Sequence, residues 1–187
     1  MTARVVILAS GSGTLAQAVI DSTELDIEIV EVISDNHSAQ VLTRAQEAGI
    51  PTKIISVGSS RELWNTEMIE AVAGLDVDLV VSAGFMRILP ADFVNRFPTI
   101  NSHPALLPQF PGAHAVRDAL AAGVSVTGTT VHWVDDGVDT GPIITQMEVP
   151  VLPGDDEAQL HERIKKVERG LIVATIALIL PSLERNV

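Results

Sequence analysis

Apolar and polar positions along this chain follow two rhythms in turn, one of buried strands and one of amphipathic helices. The run Val5-Val6-Ile7-Leu8-Ala9, opened by Arg4, ends in Ser10-Gly11-Ser12-Gly13-Thr14. A short continuous apolar run closed by a glycine turn reads as a strand covered on both faces. Leu15 to Asp21 then reads as a helix and Ile27 to Ile33 as a second strand. Ala39 to Ala48 reads as a helix stopped by Gly49 and Pro51. Thr52 to Ser56 is a third strand, Ser60 to Ala73 a helix with Gly74 beyond it, Asp78 to Ser82 a fourth strand, and Ile100 to Ser102 with its flanks a fifth. Strands alternating with helices predict an α/β protein, with a parallel sheet covered on both faces.

After Gly123 the rhythm changes. Ser125 to Val134 and Ile143 to Val149 are β-rich runs joined by Asp135-Asp136-Gly137-Val138-Asp139-Thr140-Gly141-Pro142, which predicts an antiparallel addition to the sheet. Asp155 to Leu180 closes the chain as a long helix, with Gly154-Asp155-Asp156-Glu157 as its start signal.

Composition narrows the class. The chain has 187 residues, 47% of them hydrophobic, which suffices for one sizeable core and one domain. Its net charge of −12 argues against a nucleic-acid partner, because a polyanion would meet a repulsive field. The absence of cysteine removes disulfides, thiolate nucleophiles and cysteine metal sites together, and fits a cytoplasmic protein. Val5 to Ala9 is too short for a signal peptide. Gly170 to Leu180 falls short of the roughly 20 residues that span a bilayer, so no membrane partner is expected.

The chemistry centres on Thr99-Ile100-Asn101-Ser102-His103-Pro104. Strand side chains alternate faces, so Asn101 and His103 share one side and Ser102 takes the other. Pro104, with no N–H for a ladder, stops the strand. An amide donor and a titratable ring then stand together at a strand's carboxyl end, where open α/β sheets bind ligands. Such a pair suits chemistry that builds negative charge on an oxygen. The alternative is a turn in which both side chains cap nearby backbone.

Gly11-Ser12-Gly13-Thr14-Leu15-Ala16 follows the first strand and opens a helix, so its N–H groups suit a phosphate. It also satisfies G-x-G-x-x-A, with Asp35 near the end of the second strand, and a dinucleotide fold or a bare turn competes. The five histidines, at 37, 103, 114, 132 and 161, show no close pair at helical ligand spacing, and no metal site is expected. His132 reads as a core or support residue, His37 and His161 as surface residues. Asp135 and Asp136 read as a solvated turn. Asp139 sits in a bend defined by Gly141 and Pro142, and a carboxylate held near an imidazole would orient it and favour its charged form.

Taken together, Ser10 to Thr14, Ala83-Gly84-Phe85-Met86-Arg87-Ile88-Leu89, Asn101 to Pro108, Gly128-Thr129-Thr130-Val131-His132 and Asp139-Thr140-Gly141-Pro142-Ile143 resemble the phosphoribosylglycinamide formyltransferase family, from Val5 to about Glu168. The resemblance implies the formyltransferase fold, a Rossmann-like, mostly parallel open sheet with helices on both faces and an antiparallel addition in the C-terminal half. It implies one domain over 1–187, with a phosphate-binding half (1–98) and a folate and catalytic half (99–187). The implied reaction moves the formyl group of 10-formyltetrahydrofolate, a co-substrate, to a glycinamide ribonucleotide in purine synthesis, without metal. Asn101, His103 and Asp139 match that family's catalytic triad. Gly11, Ser12, Gly13, Thr14 and Leu15 match its phosphate loop, and Glu168 a residue near the glycinamide and ribose end. Arg61, Met86, Arg87, Ile88 and Leu89, with Asn101, match its folate-binding positions. Small-molecule substrates and a monomer or homodimer follow.

Two departures stand out. Leu15 occupies a position where the family has Asn, so only backbone N–H groups would serve a phosphate there. The chain given ends at Val187, in or just after a helix, where many relatives continue with extra strand. Rival readings are a formyltransferase for initiator tRNA or an amino sugar, a nicotinamide-dependent oxidoreductase, and a non-catalytic folate or nucleotide binder.

Overall fold

A computed structural model describes residues 2–183. Its sheet is built outward from β1 (Ala3–Leu8), whose Val5, Val6, Ile7 and Leu8 are all fully buried. Burial on both faces is what a continuous apolar run requires. β2 (Ile27–Ser34) and β4 (Leu79–Ser82) flank it in parallel, β3 (Thr52–Ile54) lies outside β2, and β5 (Thr99–His103) pairs in parallel with β4. β6 (Val126–Trp133) and β7 (Ile143–Pro150) then add antiparallel, giving the order β3-β2-β1-β4-β5-β6-β7. β5 is therefore the strand on which parallel pairing changes to antiparallel.

Alternation along each strand sorts two cores. Val5, Ile7, Val81, Ile100 and Val131 face α1 (Thr14–Ile20), α2 (Gln40–Glu47) and α6 (Glu157–Leu183). Val6, Leu8, Ile33 and Val80 face α3 (Arg61–Ala73) and α4 (Ala91–Arg96), against Trp64, Met68, Phe93 and Phe97. α5 (Ala115–Ala121) contributes Val116 to a small third cluster with Leu160 and Ile164 of α6.

The expected elements all form, with ends moved by one to three residues. The helices α4 and α5 were not foreseen: at six and seven residues they are too short to show a helical period. α6 begins at a reciprocal cap, in which the Asp156 carboxylate accepts from the Gln159 amide at 2.8 Å and the Gln159 side chain accepts from the Asp156 amide at 3.0 Å. It runs past Leu180 to Leu183, with Pro181 in its last turn. The end of the chain at Val187, expected in or just after a helix, lies outside the described residues. Among the described residues no helix is long and apolar enough to cross a membrane.

Candidate active site

Strand register places the central side chains. Ser82 of β4 lies beside Asn101 of β5, and Asn101 lies beside His132 of β6. All three are on the α3–α4 side of the sheet, as is His103. Ser102 points to the other side, where its hydroxyl donates to Glu168 Oε1 at 2.8 Å. The alternation expected of Asn101, Ser102 and His103 is thus the one the strand adopts.

Asp139 arrives from the β6–β7 connection. Its Oδ2 lies 3.3 Å from His103 Nδ1 and its Oδ1 lies 3.5 Å from His132 Nε2. Oδ2 also accepts from the Gly112 amide at 2.8 Å. Burial works to raise the Asp139 pKa, but the Gly112 N–H and the charge of His103 oppose it, and the carboxyl is held below its ordinary value. The other ring nitrogen of His103, Nε2, lies 2.8 Å from the Phe110 carbonyl oxygen. Both ring nitrogens therefore face acceptors, and a ring carrying a proton on each satisfies both. Phe110 and Asp139 are themselves held at φ of 53° and 54°. Two residues in a sparsely populated backbone region grip the one imidazole, the kind of strain that gathers at functional sites.

The bends behind this arrangement need glycine. A Cβ on Gly141 would sit 1.8 Å from the Trp133 carbonyl oxygen, so the turn that carries Asp139 closes only over hydrogen. Asp135 is tied within this loop, accepting from the Gly137 amide and the Thr140 hydroxyl, while Asp136 is exposed.

Ser82, Asn101, His103, His132 and Asp139 line a cleft of about 490 Å³, together with Phe85, Met86, Arg87, Ile88, Leu89, Val134 and Val138. Met86 and Ile88 are 68% and 59% exposed and form an apolar lip, whereas Leu89 is buried. Arg61 donates to the Ile88 carbonyl and lies 4.4 Å over the Trp64 ring, so it braces the lip from outside. Such an apolar slot with a few convergent polar groups suits a small-molecule ligand. His161 also lines this cleft. It is half-buried, which corrects its reading as a surface residue. Burial, then the charge of Lys165, hold its ring below the usual pKa. Its place on α6 turns it inward, which a lone His between Leu160 and Glu162 did not signal.

The glycine loop lies at the end of β1, two strands from β5, and does not line this cleft. It is joined to the cleft through Ser10, whose amide donates to the Gly84 carbonyl and whose hydroxyl accepts from the Met86 amide at 2.8 Å. Two of its carbonyls are already used: Gly11 accepts from the Val41 amide and Ser12 from Arg44 Nε at 2.7 Å. What the loop still offers at the head of α1 is amide N–H, the chemistry an anion needs. Gly13 has φ of 70° and is buried against α2. Leu15, in the first turn of α1, packs on the core. Asp35, the carboxylate on which the dinucleotide reading rests, is buried and accepts from Arg87 Nε, so its Oδ2 is already engaged. Glu168 lies behind β5, which carries Asn101 and His103; burial lifts its pKa, and the Ser102 hydroxyl only partly offsets that.

Residues that sequence reading passed over are Ser82, Phe110 and Gly112. None carries a signal of its own: each acts here through a hydroxyl or a backbone group. His132 does stand as the supporting histidine expected of it. Among the described residues no cluster of His, Cys, Asp and Glu is placed to hold a metal ion.

An open α/β sheet that gathers an amide, a doubly held imidazole and a carboxylate at a ligand-sized cleft is the machinery of group transfer through an oxyanion. Comparison with known proteins gives the class its name. The formyl transferase family model matches residues 3–176, and the chain belongs to this family. It is similar to the phosphoribosylglycinamide formyltransferase of Mycobacterium tuberculosis (strain ATCC 25618 / H37Rv), at 50% identity over 180 residues, covering 94% of this chain and 84% of that one. The Escherichia coli (strain K12) protein of the same name is 39% identical over 92% of this chain and 85% of its own. Among solved structures, glycinamide ribonucleotide transformylase 1 from Symbiobacterium toebii superposes with a TM-score of 0.91 at 40% identity, covering 94% of this chain and 86% of that one.

Proposed function

We propose that this protein transfers the formyl group of 10-formyltetrahydrofolate to the amine of 5'-phosphoribosylglycinamide, giving formylglycinamide ribonucleotide and tetrahydrofolate in purine synthesis. The observation that carries the reading is the convergence of Asn101, His103 and Asp139 at one cleft, in a chain whose relatives carry that name. The cleft behind the Met86–Leu89 lip takes the folate, with Arg61 and Arg87 at its rim. The amides of Gly13, Thr14 and Leu15 take the ribonucleotide phosphate, beside Gly11 and Ser12, and Glu168 serves the ribose end. In this reading residues 1–98 supply the phosphate-binding half and 99–187 the folate and catalytic half of one domain, acting on small molecules as a monomer or homodimer.

In the reaction the amine nitrogen attacks the formyl carbon, a C–N bond forms, and the carbonyl oxygen becomes an oxyanion. Asn101 Nδ2 donates to that oxygen. His103 Nε2–H, held by the Phe110 carbonyl in the free enzyme, turns to the oxyanion, a stronger acceptor than a neutral carbonyl. Asp139 keeps Nδ1 engaged and the ring charged. The intermediate then collapses, the bond to the folate N10 breaks, and a water beside Asp139 carries the amine proton to N10. No acyl-enzyme forms, and Ser102 faces away.

Mixing the protein with 10-formyltetrahydrofolate, or a 10-formyl-dideazafolate analogue, and glycinamide ribonucleotide tests this by absorbance. A deformylation rate that needs the ribonucleotide and is lost in His103→Ala is the expected result. A folded protein with no such rate, or with near-parental turnover in His103→Ala, overturns it.

A further inference from the structure

The oxyanion role of Asn101 requires its carboxamide to present nitrogen, not oxygen, to the reacting centre. A carboxamide is nearly symmetric in shape, so the choice falls to its hydrogen-bond partners. Three groups make that choice here. The Trp133 carbonyl can only accept, and it lies 2.8 Å from His132 Nδ1, which puts the ring proton on Nδ1. A neutral ring with its proton there has only a lone pair at Nε2. That lone pair lies 3.3 Å from Asn101 Nδ2, which must donate. The carboxamide oxygen is thereby turned to Ser82, whose hydroxyl donates to Asn101 Oδ1 at 2.8 Å. One N–H of Nδ2 remains for the substrate.

His132 Nε2 also lies 3.5 Å from Asp139 Oδ1, but the two contacts exclude each other. A ring that donates to Asp139 has no lone pair for the Asn101 nitrogen. Ser82 is buried at the carboxyl end of β4 and is in register with Asn101, and the described hydrogen bonds give its hydroxyl no other side-chain partner. We infer that Ser82 and His132 are positioning residues that fix the Asn101 carboxamide with its nitrogen toward the reacting oxygen, Ser82 by capping the oxygen and His132 by accepting from the nitrogen. The inference rests on the formyl-transfer reading above.

A double-mutant cycle tests it. The parent, Ser82→Ala, Asn101→Ala and the double variant are assayed for ribonucleotide-dependent deformylation, with kcat and both KM values read separately. The expected result is a fall in kcat of about tenfold for Ser82→Ala, the share of one neutral hydrogen bond, with KM values unchanged within about twofold. In the Asn101→Ala background the same substitution changes kcat by less than about twofold, because Ser82 acts only through Asn101. Ser82→Thr and Ser82→Val are equal in shape and differ in the hydroxyl, so packing damage is common to both. The threonine variant is expected to retain about tenfold more activity than the valine variant. Equal losses from Ser82→Ala in both backgrounds, or equal rates for the threonine and valine variants, overturn the inference. An active parent with those results leaves the transfer reading standing, whereas an inactive parent overturns the reading itself.

Discussion

Replacing Asp139 by Asn keeps the shape of the side chain and removes its charge, and so isolates what the carboxylate does for His103. The nearest charge separation is 3.3 Å, between side chains that are 5% and 12% exposed. At that distance Coulomb's law gives about 5 kcal/mol with an effective dielectric of about 20, and about 1 kcal/mol in bulk water. The burial places the pair nearer the first figure, but the asparagine dipole and the retained Gly112 contact return part of it. A loss of roughly 3–4 kcal/mol remains, which is roughly 10²–10³-fold in turnover. The assay is absorbance-monitored deformylation at saturating ribonucleotide, with thermal melting as the check on folding. A variant that folds like the parent and turns over within about threefold of it would refute the argument that a charged imidazole held by Asp139 stabilises the transition state. The same substitution has a stability signature. The Asp139 carboxyl lies below its ordinary value of 3.8 in the folded protein, so its charge stabilises the fold above that pH and ceases to as pH falls through the folded value. The stability gap between parent and variant is expected to close as the pH is lowered below 3.8.

Three further outcomes are expected. Glu168 has its pKa raised by burial above an ordinary value of 4.5, so ionising it costs the folded state stability as pH rises through and above that value. Glu168→Gln is expected to raise the melting temperature at neutral pH and to lose that gain in acid, while weakening ribonucleotide binding by about tenfold; a melting temperature lowered at neutral pH would contradict it. Gly13→Ala is expected to destabilise by about 1–3 kcal/mol in thermal melts, because the new Cβ would meet Val41 side-chain atoms at 2.6 Å and φ is 70°. Leu15→Asn is expected to cost about 1 kcal/mol of stability by removing apolar contact, yet leave the KM for the ribonucleotide within about threefold, since the loop offers N–H groups; a collapse of ribonucleotide affinity would show that the side chain matters.

Sequence and structure agree where the physics is local. Period-two alternation put Asn101 and His103 on one side, and the all-apolar Val5 to Leu8 run marked the doubly covered centre of the sheet. Proline and glycine fixed the ends of both. What the sequence could not carry is the meeting of elements far apart in the chain. The contact of Asp139 with His103 spans a connection between antiparallel strands, and only resemblance suggested it. The Phe110 carbonyl and the Ser82 hydroxyl are invisible for another reason: neither residue type is unusual, and each gains its role from register and from a backbone angle. His161 misled because its exposure depends on which way α6 is rolled against α5, a property of tertiary packing. Asp35 misled in the opposite sense, since the acidic residue of a nucleotide motif is here the partner of Arg87.

The change of pairing at β5 has a consequence for how the molecule comes apart. Strands β1 to β4 and the glycine loop form one cooperative parallel block. Within the sheet β6 and β7 pair with that block through β5, and α6, laid across them, also packs on α1. An opening that peels β6 and β7 away removes His132 and Asp139 together and strands Asn101 and His103, while β1 to β4 keep their own pairing. Inactivation would then precede global unfolding, and amide exchange would divide along this seam: on the proposed function, a ribonucleotide phosphate would protect β1 and α1, and a folate in the cleft would slow exchange in β6 and β7.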